Sequence, residues 1–516
     1  MAERPNVLLI CADQWRFDCL SILGHRNVKT PHLDALAGDG VIFRNHFGQC
    51  TPCGPSRVSL LTGMYLMNHR SGRNGTPLDA RHTNIALEMR KAGYEPALFG
   101  YTDTAPDPRG LHPKDPALTS YDHGIMPGFV APLHLADDMS PWVSELCDRG
   151  YDLPQGRADI FRPRTGFKKP EGRGFRYVPT QFSASDSDTA FLADSFLKWL
   201  LVRKERPWFA HVVFMRPHPP LIAPEPYNSL VDPADVDAPT RASTPEDEKA
   251  MHPFLGYEID RLNPPGIYDE HSPVDIVNGN LLELNQMRAA YYGLISEVDH
   301  HVGRIVAFLK ATGQYERTLI VFTSDHGEML GDHHVWGKEI FFDPAYRLPL
   351  IIRDPRRPGD GTSGGHVTAM TQAIDIMPTL LHWVEVPQPR SCDGASLLPL
   401  LSGRIPTDWR REVHFEHDFR DVRGQMPEKI LGLSSDECVY AVVRDQRYKY
   451  IHFAALPPLL FDLEADPDET TNIAVNSDAG GILLEYAQKM IDWRLKFADR
   501  TMTNMNVGEN GLFIRD

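Results

Sequence analysis

Short apolar runs alternate with amphipathic stretches along most of the chain. The runs predict buried strands, which cover residues 6–11, 96–99, 208–214, 318–323 and 348–353. Apolar residues spaced three and four apart predict helices over residues 188–201 and 284–312, and Gly313 is a natural stop for the second helix. Strands that alternate with helices are typical of an α/β sheet protein.

The pattern changes near residue 413. From there short strands follow closely, at residues 439–443, 448–453 and 459–462, and a helix is predicted over residues 481–497. An antiparallel sheet with one helix makes a small second unit, so we expect a catalytic domain at residues 1–410 and a C-terminal subdomain at residues 411–516. The polar tail, residues 500–516, is expected either to fray or to lie across a neighbouring subunit.

Two proline-rich stretches, residues 104–181 and 216–280, show little periodicity. Loops of this length in a compact domain are usually functional lids or interface arms. A solvated insertion is an equally open interpretation for most of their residues.

Length, charge and cysteine content narrow the class of protein. The chain has 516 residues, and its net charge of −16 argues against broad binding to nucleic acid or to anionic membranes. No apolar stretch is long enough for a membrane span, and the short apolar run after Asn6 lacks the features of a signal peptide. The seven cysteines show neither zinc-finger spacing nor a disulfide framework, so we expect a reduced, cytoplasmic protein.

The run from Cys53 to Arg57 is the first candidate for catalysis. It reads Cys-x-Pro-Ser-Arg and resembles the signature at which sulfatases have the cysteine oxidised to formylglycine. The hydrated aldehyde carries two hydroxyls on one carbon, so one can attack an ester and the other can later expel the product. We expect Ser56 to cap a helix over residues 57–62, which would place residue 53 where a helix N-terminus favours an anion. A buried cysteine in a turn is the plain alternative.

Polar residues at two strand ends suggest a metal site. Asp13 follows the first predicted strand, and Asp325 and His326 follow the strand at residues 318–323, where open α/β sheets bind ligands. Together with a modified residue 53 they would offer three oxygens and one nitrogen, which suits Mn²⁺, Mg²⁺, Ca²⁺ or Zn²⁺. Each has a structural alternative, a helix cap for Asp13 and a buried structural role for His326. Lys338 could pair with an anionic oxygen, although most lysines are solvated.

Four features occur in family order: Asp13 at a strand end, Cys53 in its signature, SDHG at 324–327 and WGK at 336–338. They resemble the sulfatase branch of the alkaline phosphatase superfamily over about residues 5–400. Within that branch the likeness is greatest to bacterial phosphonate monoester hydrolases, and it extends nearly to the C-terminus. The segments that carry this closer likeness are DQWR at 13–16, PCGP at 52–55, LMNHR at 66–70, RPHPP at 216–220 and HFAALPP at 452–458.

This resemblance implies an alkaline phosphatase-like fold, in which helices flank a large mixed sheet. It also implies one divalent metal ion, with manganese expected and zinc or calcium as alternatives. The implied ligands are Asp13, the formylglycine made from Cys53, Asp325 and His326.

The same resemblance assigns roles around the substrate. Arg57 would orient the hydrate, and His218 or Lys338 would help the leaving oxygen to depart. Gln14 would lie close to the metal or the substrate. The anion pocket would be lined by Asn74, Tyr101, His218 and Lys338.

Departures from the sulfatase pattern bear on the substrate. Many sulfatases carry a second Asp, a Lys-x-His pair and an Asn where this chain has Gln14, Tyr101-Thr102-Asp103 and His326. With these differences, the pocket is expected to differ from a typical sulfate-ester site. Asp103 could accept a proton from the second hydroxyl of the hydrate, or it could merely cap a loop.

The implied function is hydrolysis of phosphonate monoesters and phosphodiesters, with promiscuous hydrolysis of sulfate esters. The expected partners are a small anionic ester, a formylglycine-generating enzyme and further copies of the chain in a homotetramer, with neither nucleic acid nor membrane. Three alternatives stay open: an arylsulfatase, a two-metal phosphatase or phosphomutase, and a non-catalytic binding homologue in which Cys53 stays unmodified.

Overall fold

The protein is an α/β molecule in the computed structural model, which describes residues 4–121, 124–136, 138–153, 160–203, 206–262, 280–357 and 364–515. The strands within these ranges are β1 (Asn6–Ala12), β2 (Val41–Phe43), β3 (His46–Phe47), β4 (Ala97–Gly100), β5 (Val130–His134), β6 (Phe209–Phe214), β7 (Thr318–Thr323), β8 (Leu350–Arg353), β9 (Gly365–Val367), β10 (Thr371–Gln372), β11 (Val413–Asp418), β12 (Val439–Arg444), β13 (Tyr448–Phe453), β14 (Leu459–Asp462), β15 (Met505–Gly508) and β16 (Gly511–Ile514).

Helices cover both faces of the main sheet and one face of a smaller one. In the same ranges they are α1 (Pro31–Gly38), α2 (Cys53–Thr62), α3 (Leu66–His69), α4 (Ile85–Lys91), α5 (Ser140–Asp148), α6 (Asp188–Leu201), α7 (Pro245–Lys249), α8 (Pro253–Leu262), α9 (Leu281–Ala311), α10 (Asp343–Tyr346), α11 (Ile376–Trp383), α12 (Leu398–Leu401), α13 (Met426–Leu431) and α14 (Gly480–Phe497). No described helix is long and apolar enough to cross a membrane.

The main sheet has eight strands in the order β5-β4-β6-β1-β7-β8-β2-β9. The first five run parallel, whereas β8 is antiparallel to both of its neighbours, so the sheet is mixed. β1, β6 and β7 are buried along their whole length. Burial on both faces explains why these strands appear in the sequence as continuous apolar runs.

Side chains of β1 alternate between two hydrophobic cores. Leu8 and Ile10 belong to the core that includes residues of α6 and α9, and Val7 and Leu9 belong to the core that includes residues of α2, α4 and α11. Successive side chains of a strand point to opposite faces of the sheet, so β1 contributes to the cores on both faces. A large mixed sheet flanked by helices, the fold class expected from the sequence, is therefore confirmed.

The C-terminal strands form a separate antiparallel sheet in the order β11-β12-β13-β14. α14 packs on it through Tyr486, Met490 and Trp493, which share a core with Ala441 and Val443 of β12. The predicted small sheet with one helix is confirmed, and the predicted strands at residues 448–453 and 459–462 have their observed bounds.

One expectation is wrong, and the structure adds detail to two others. Ser56 does not cap its helix, because α2 already begins at Cys53; Ser56 lies in the first turn, where its hydroxyl donates to the carbonyl of Asp325. The first proline-rich stretch contains β5 and α5, and the second contains α7 and α8. Residues 122–123, 137 and 154–159 of the first and 263–279 of the second lie outside the described ranges. The tail folds back as an exposed hairpin of β15 and β16.

Candidate active site

The carboxyl ends of five adjacent parallel strands form the floor of one cavity. Leu135 directly follows β5, Tyr101 follows β4, Met215 follows β6 and Asp13 follows β1, while Asp325 comes two residues after β7. Ligands bind at this edge of open α/β sheets because the strand ends bring loop residues together there. The fold thus unites residues that lie hundreds of positions apart.

Four buried side chains at this edge fit a divalent metal ion. Ligand atoms of Asp13, Cys53, Asp325 and His326 all lie within 4.8 Å of one another. The Nε2 atom of His326 is 3.1 Å from the Cys53 sulfur and 3.4 Å from Oδ2 of Asp325, and its Nδ1 donates to the carbonyl of Gly327 at 3.1 Å. Burial and the ammonium of Lys338 lower the pKa of His326 well below its ordinary value. A neutral imidazole and two carboxylates are donors that such an ion requires.

Arg57 and Tyr101 hold the carboxylates of the cluster. The guanidinium donates to Asp13 at 2.7 Å and to Asp325 at 3.0 Å, and it lies 4.2 Å from the centre of the Tyr101 ring. The Tyr101 hydroxyl donates to Oδ2 of Asp13 at 2.6 Å. Burial and the Asp13 carboxylate raise the pKa of Tyr101, which keeps this donor protonated. Tyr101 therefore orients a candidate metal ligand as well as lining the pocket.

Cys53 lies at the first position of α2, next to the helix N-terminus. Burial and the Asp13 carboxylate raise the pKa of Cys53 well above its ordinary value. Because the thiolate is the nucleophilic form of cysteine, the unmodified side chain is poorly suited to attack an ester here. Chemistry at this position thus favours a modified residue.

Lys338 reaches the nucleophile position through a network that the sequence did not reveal. Its ammonium donates to the Cys53 sulfur at 3.2 Å and to Oε1 of Gln14 at 2.6 Å. The amide nitrogen of Gln14 donates in turn to Glu328, which also accepts the backbone N–H of Gly337 at 2.6 Å. Burial alone would lower the pKa of Lys338, but Cys53 and Asp13 raise it above its ordinary value, so the ammonium stays charged.

The cavity above the cluster has a volume of about 120 Å³. Its polar wall contains seven residues predicted from the sequence: Asp13, Cys53, Asn74, Tyr101, Asp103, His218 and Lys338. The remaining wall is mostly apolar and consists of Tyr121, Leu135, Ala136 and Met215. A small anionic head with an apolar substituent matches this division.

Contacts with the backbone hold the side chains of Asn74 and His218 at the cavity. The side-chain oxygen of Asn74 accepts the backbone N–H of Gly54 at 2.8 Å, which leaves the amide nitrogen as its donor. Nδ1 of His218 lies 2.7 Å from the carbonyl of Pro219. Arg216 fastens this loop, since it donates to the carbonyl of His218 at 2.9 Å and to Asp188 at 3.1 Å.

The predicted residues meet in one place, in two layers. Gln14, Arg57, Asp325 and His326 lie beneath the cavity wall, and the others line it. Sequence analysis missed Glu328, Met215 and Leu135. Met215 directly follows a predicted strand and Glu328 lies in the segment after another, so the strand-end rule could have found both. Leu135 gave no signal because β5 is mostly exposed or half-buried and its sequence is not a continuous apolar run.

Comparisons with known proteins agree with this geometry. The sulfatase family profile matches residues 5–386, and a profile described as N-sulphoglucosamine sulphohydrolase, C-terminal, matches residues 331–496. The chain is 43% identical to the multifunctional alkaline phosphatase superfamily protein PehA of Trinickia caryophylli, over 99% of both chains. It is 29% identical to an arylsulfatase of Clostridium perfringens, over 98% of this chain and 97% of the other.

Solved structures give the same result. The crystal structure of the phosphonate monoester hydrolase of Agrobacterium radiobacter superimposes with a TM-score of 0.93 at 46% identity, covering 99% of this chain and all of the other. The phosphonate monoester hydrolase SpPMH from Silicibacter pomeroyi superimposes with a TM-score of 0.92 at 42% identity, over 99% of both chains.

Proposed function

The chain belongs to the sulfatase family, and from that premise we propose that it is a metal-dependent hydrolase of phosphonate monoesters and phosphodiesters that also cleaves sulfate monoesters. One observation carries the proposal: the buried cluster of Asp13, Cys53, Asp325 and His326 lies under a cavity that also presents Lys338. The choice of phosphorus esters is supported by the two solved phosphonate monoester hydrolases, whose identities of 46% and 42% exceed the 29% of the arylsulfatase.

The three ester classes share one charge and one shape. Each has a single negative charge on tetrahedral oxygens at neutral pH, so one set of donors can stabilise the transition states of all three. Lys338 supplies a fixed positive charge beside the nucleophile, and Asn74 supplies a neutral donor. We therefore expect overlapping activities rather than a strict choice.

The nucleophile in this proposal is the hydrated formylglycine made from Cys53 by a formylglycine-generating enzyme, and a metal ion would supply Lewis-acid activation of the ester. Arg57 fixes the carboxylates beneath the nucleophile and so orients the hydrate. His218 or Lys338 donates a proton or a hydrogen bond to the departing oxygen. Asp103 accepts the proton of the second hydroxyl when the aldehyde re-forms.

Further parts of the proposal concern the metal, the compartment and the assembly. We propose manganese, with zinc or calcium as alternatives, because the donors are oxygen and nitrogen once Cys53 is modified. A cytoplasmic location is supported by seven cysteines that are all unpaired. A homotetramer is supported by the exposed C-terminal hairpin, since an isolated two-stranded hairpin is marginally stable in water.

A comparison of matched substrates tests the proposal. The purified, metal-loaded protein is assayed for kcat/KM on an aryl phosphonate monoester and on the aryl sulfate with the same leaving group. We expect the phosphonate ester to react faster. A faster sulfate ester would make the chain an arylsulfatase, and two metal ions per chain, counted by elemental analysis, would favour a two-metal phosphatase instead.

A further inference from the structure

Asp103 places a third carboxylate at the wall of the catalytic cavity. Its side chain is 7% exposed, and its Oδ2 lies 3.6 Å from Nε of Arg57. The backbone has a φ of 49°, in the left-handed region that Asp and Asn adopt more readily than most residues. The position is also closely packed, because a Cβ added at Gly54 would lie 2.9 Å from the Asp103 carbonyl. The backbone of Asp103 is thus closely confined, and the Arg57 guanidinium lies beside its carboxylate.

Asp103 adds negative charge to the group of side chains around Cys53. Asp13, Asp103 and Asp325 face the cations Arg57 and Lys338, so these five side chains contribute one net negative charge. Without the Asp103 carboxylate the charges of the other four would balance. A doubly charged ester brings twice the negative charge of a singly charged one into this buried site, where an uncompensated charge is costly.

We propose that Asp103 determines specificity for substrate charge, by disfavouring doubly charged phosphate monoesters relative to singly charged phosphonate monoesters and phosphodiesters. This rests on the proposed function, and it adds a negative charge as the feature that excludes dianions. A carboxylate in the wall of the cavity raises the energy of a bound dianion more than that of a bound monoanion, because Coulomb repulsion scales with the ligand's charge. The effect does not depend on any part that Asp103 takes in proton transfer.

Substitution of the carboxylate tests this role. Asp103→Asn removes the charge and keeps a side chain that tolerates the left-handed backbone. Asp103→Glu keeps the charge. Asp148→Asn is the matched control, since Asp148 is an exposed carboxylate that does not line the cavity. Each variant is assayed on an aryl phosphate monoester, a dianion, and on the methyl diester with the same leaving group, a monoanion.

The ratio of kcat/KM for the monoester to that for the diester should rise about tenfold or more in Asp103→Asn and stay near the wild-type value in the other two. The ratio cancels any loss that both substrates share, such as a lost proton acceptor. An unchanged ratio in Asp103→Asn, or an equal rise in Asp148→Asn, would overturn the proposal.

A binding measurement separates this proposal from the proposed function. In a Cys53→Ala background, which lacks the nucleophile, calorimetry compares phenylphosphonate, a dianion in mildly alkaline buffer, with its singly charged monoethyl ester. Added Asp103→Asn should tighten binding of the dianion about tenfold relative to the ester. Equal changes for both ligands would contradict the role of Asp103, even if the wild-type enzyme cleaved neither substrate.

Discussion

At the scale of single residues, the site depends on buried donors that fix its carboxylates. Asp13 accepts hydrogen bonds from both Arg57 and Tyr101. Burial and Asp325 would raise the pKa of Asp13, but His218, Arg57 and Lys338 lower it below its ordinary value. The carboxylate is therefore ionised and oriented before any ligand binds.

Tyr101→Phe should weaken metal binding about tenfold or more, because removing a group that orients a metal ligand typically costs that much. The matched control is Tyr315→Phe, in which another buried tyrosine loses its hydrogen bond to a carboxylate, that of Asp39 at 2.8 Å. Competition with a fluorescent chelator measures metal affinity in both variants. An equal metal affinity in the two variants would show that the Tyr101 hydroxyl has no such role.

Some residues of the site could be predicted from the sequence, and others could not. Asp13 and Asp325 could be predicted because they follow buried parallel strands whose apolar runs are plain in the sequence. The link from Gln14 to Glu328 could not, because Gln14 has a φ of 67° that aims its side chain at a distant loop. Tertiary packing, rather than a local pattern, selects that backbone conformation.

At the scale of elements, helix α8 is joined to the two segments that carry Asn74 and Lys338. Arg73 is 2.9 Å from Glu339, and Arg261 at the end of α8 is 2.5 Å from the same carboxylate. Arg73 and Glu339 are the direct chain neighbours of Asn74 and Lys338. The three charged residues thus fix the spacing of two cavity walls.

Glu339→Gln should lower kcat/KM about tenfold, since small displacements of positioning groups are costly for catalysis. Glu316→Gln is the control, because Glu316 is exposed and pairs with Arg353 at 3.0 Å. This pair lies at the start of β7, whereas the site lies beyond its carboxyl end. Steady-state kinetics on the phosphonate ester compares the variants. A full wild-type rate in Glu339→Gln would show that these charged residues do not position the catalytic groups.

Helix α9 contains a buried acid that should couple stability to pH. Burial and the Asp188 carboxylate raise the pKa of Glu297 from 4.5 to about 8. The folded state then holds a proton that the unfolded state releases, so stability should fall as pH rises from 4.5 to about 8.

Glu297→Gln should remove this dependence and be more stable than the wild type near the upper end of the window, by on the order of a few kcal/mol. Ser296→Ala, a change at a neighbouring residue of α9 that cannot ionise, should show a difference from the wild type that is constant across the window. Chemical denaturation at several pH values measures both. A constant difference for Glu297→Gln as well would refute the coupling.

At the scale of the whole molecule, the core follows from the sequence better than the surface does. The buried strands and the helices α6, α9 and α14 lie close to their predicted bounds, because a core requires long apolar periodicity. The C-terminal hairpin was not predicted, since its residues are exposed and lack that pattern. The division into residues 1–410 and 411–516 stays a proposal, although β11 begins at Val413.

In the proposed homotetramer, the exposed C-terminal hairpin contacts another copy of the chain. Val507→Asp should then dissociate the assembly, because it would place a charge in that contact. Val475→Asp is the control, since Val475 is 81% exposed and Val507 is 83% exposed. Sedimentation velocity at several concentrations compares the two variants with the wild type. A monomeric wild type would reject the tetramer.

The proposal that a formylglycine at position 53 is the nucleophile is tested most directly by measuring the formylglycine content and kcat of the same protein sample. Preparations with different levels of formylglycine are digested, the peptide that contains residue 53 is quantified by mass spectrometry, and kcat on the phosphonate ester is measured for each. We predict that kcat per chain rises in proportion to the converted fraction and vanishes in Cys53→Ala. Activity that persists with an unmodified thiol, or in Cys53→Ala, would contradict the account.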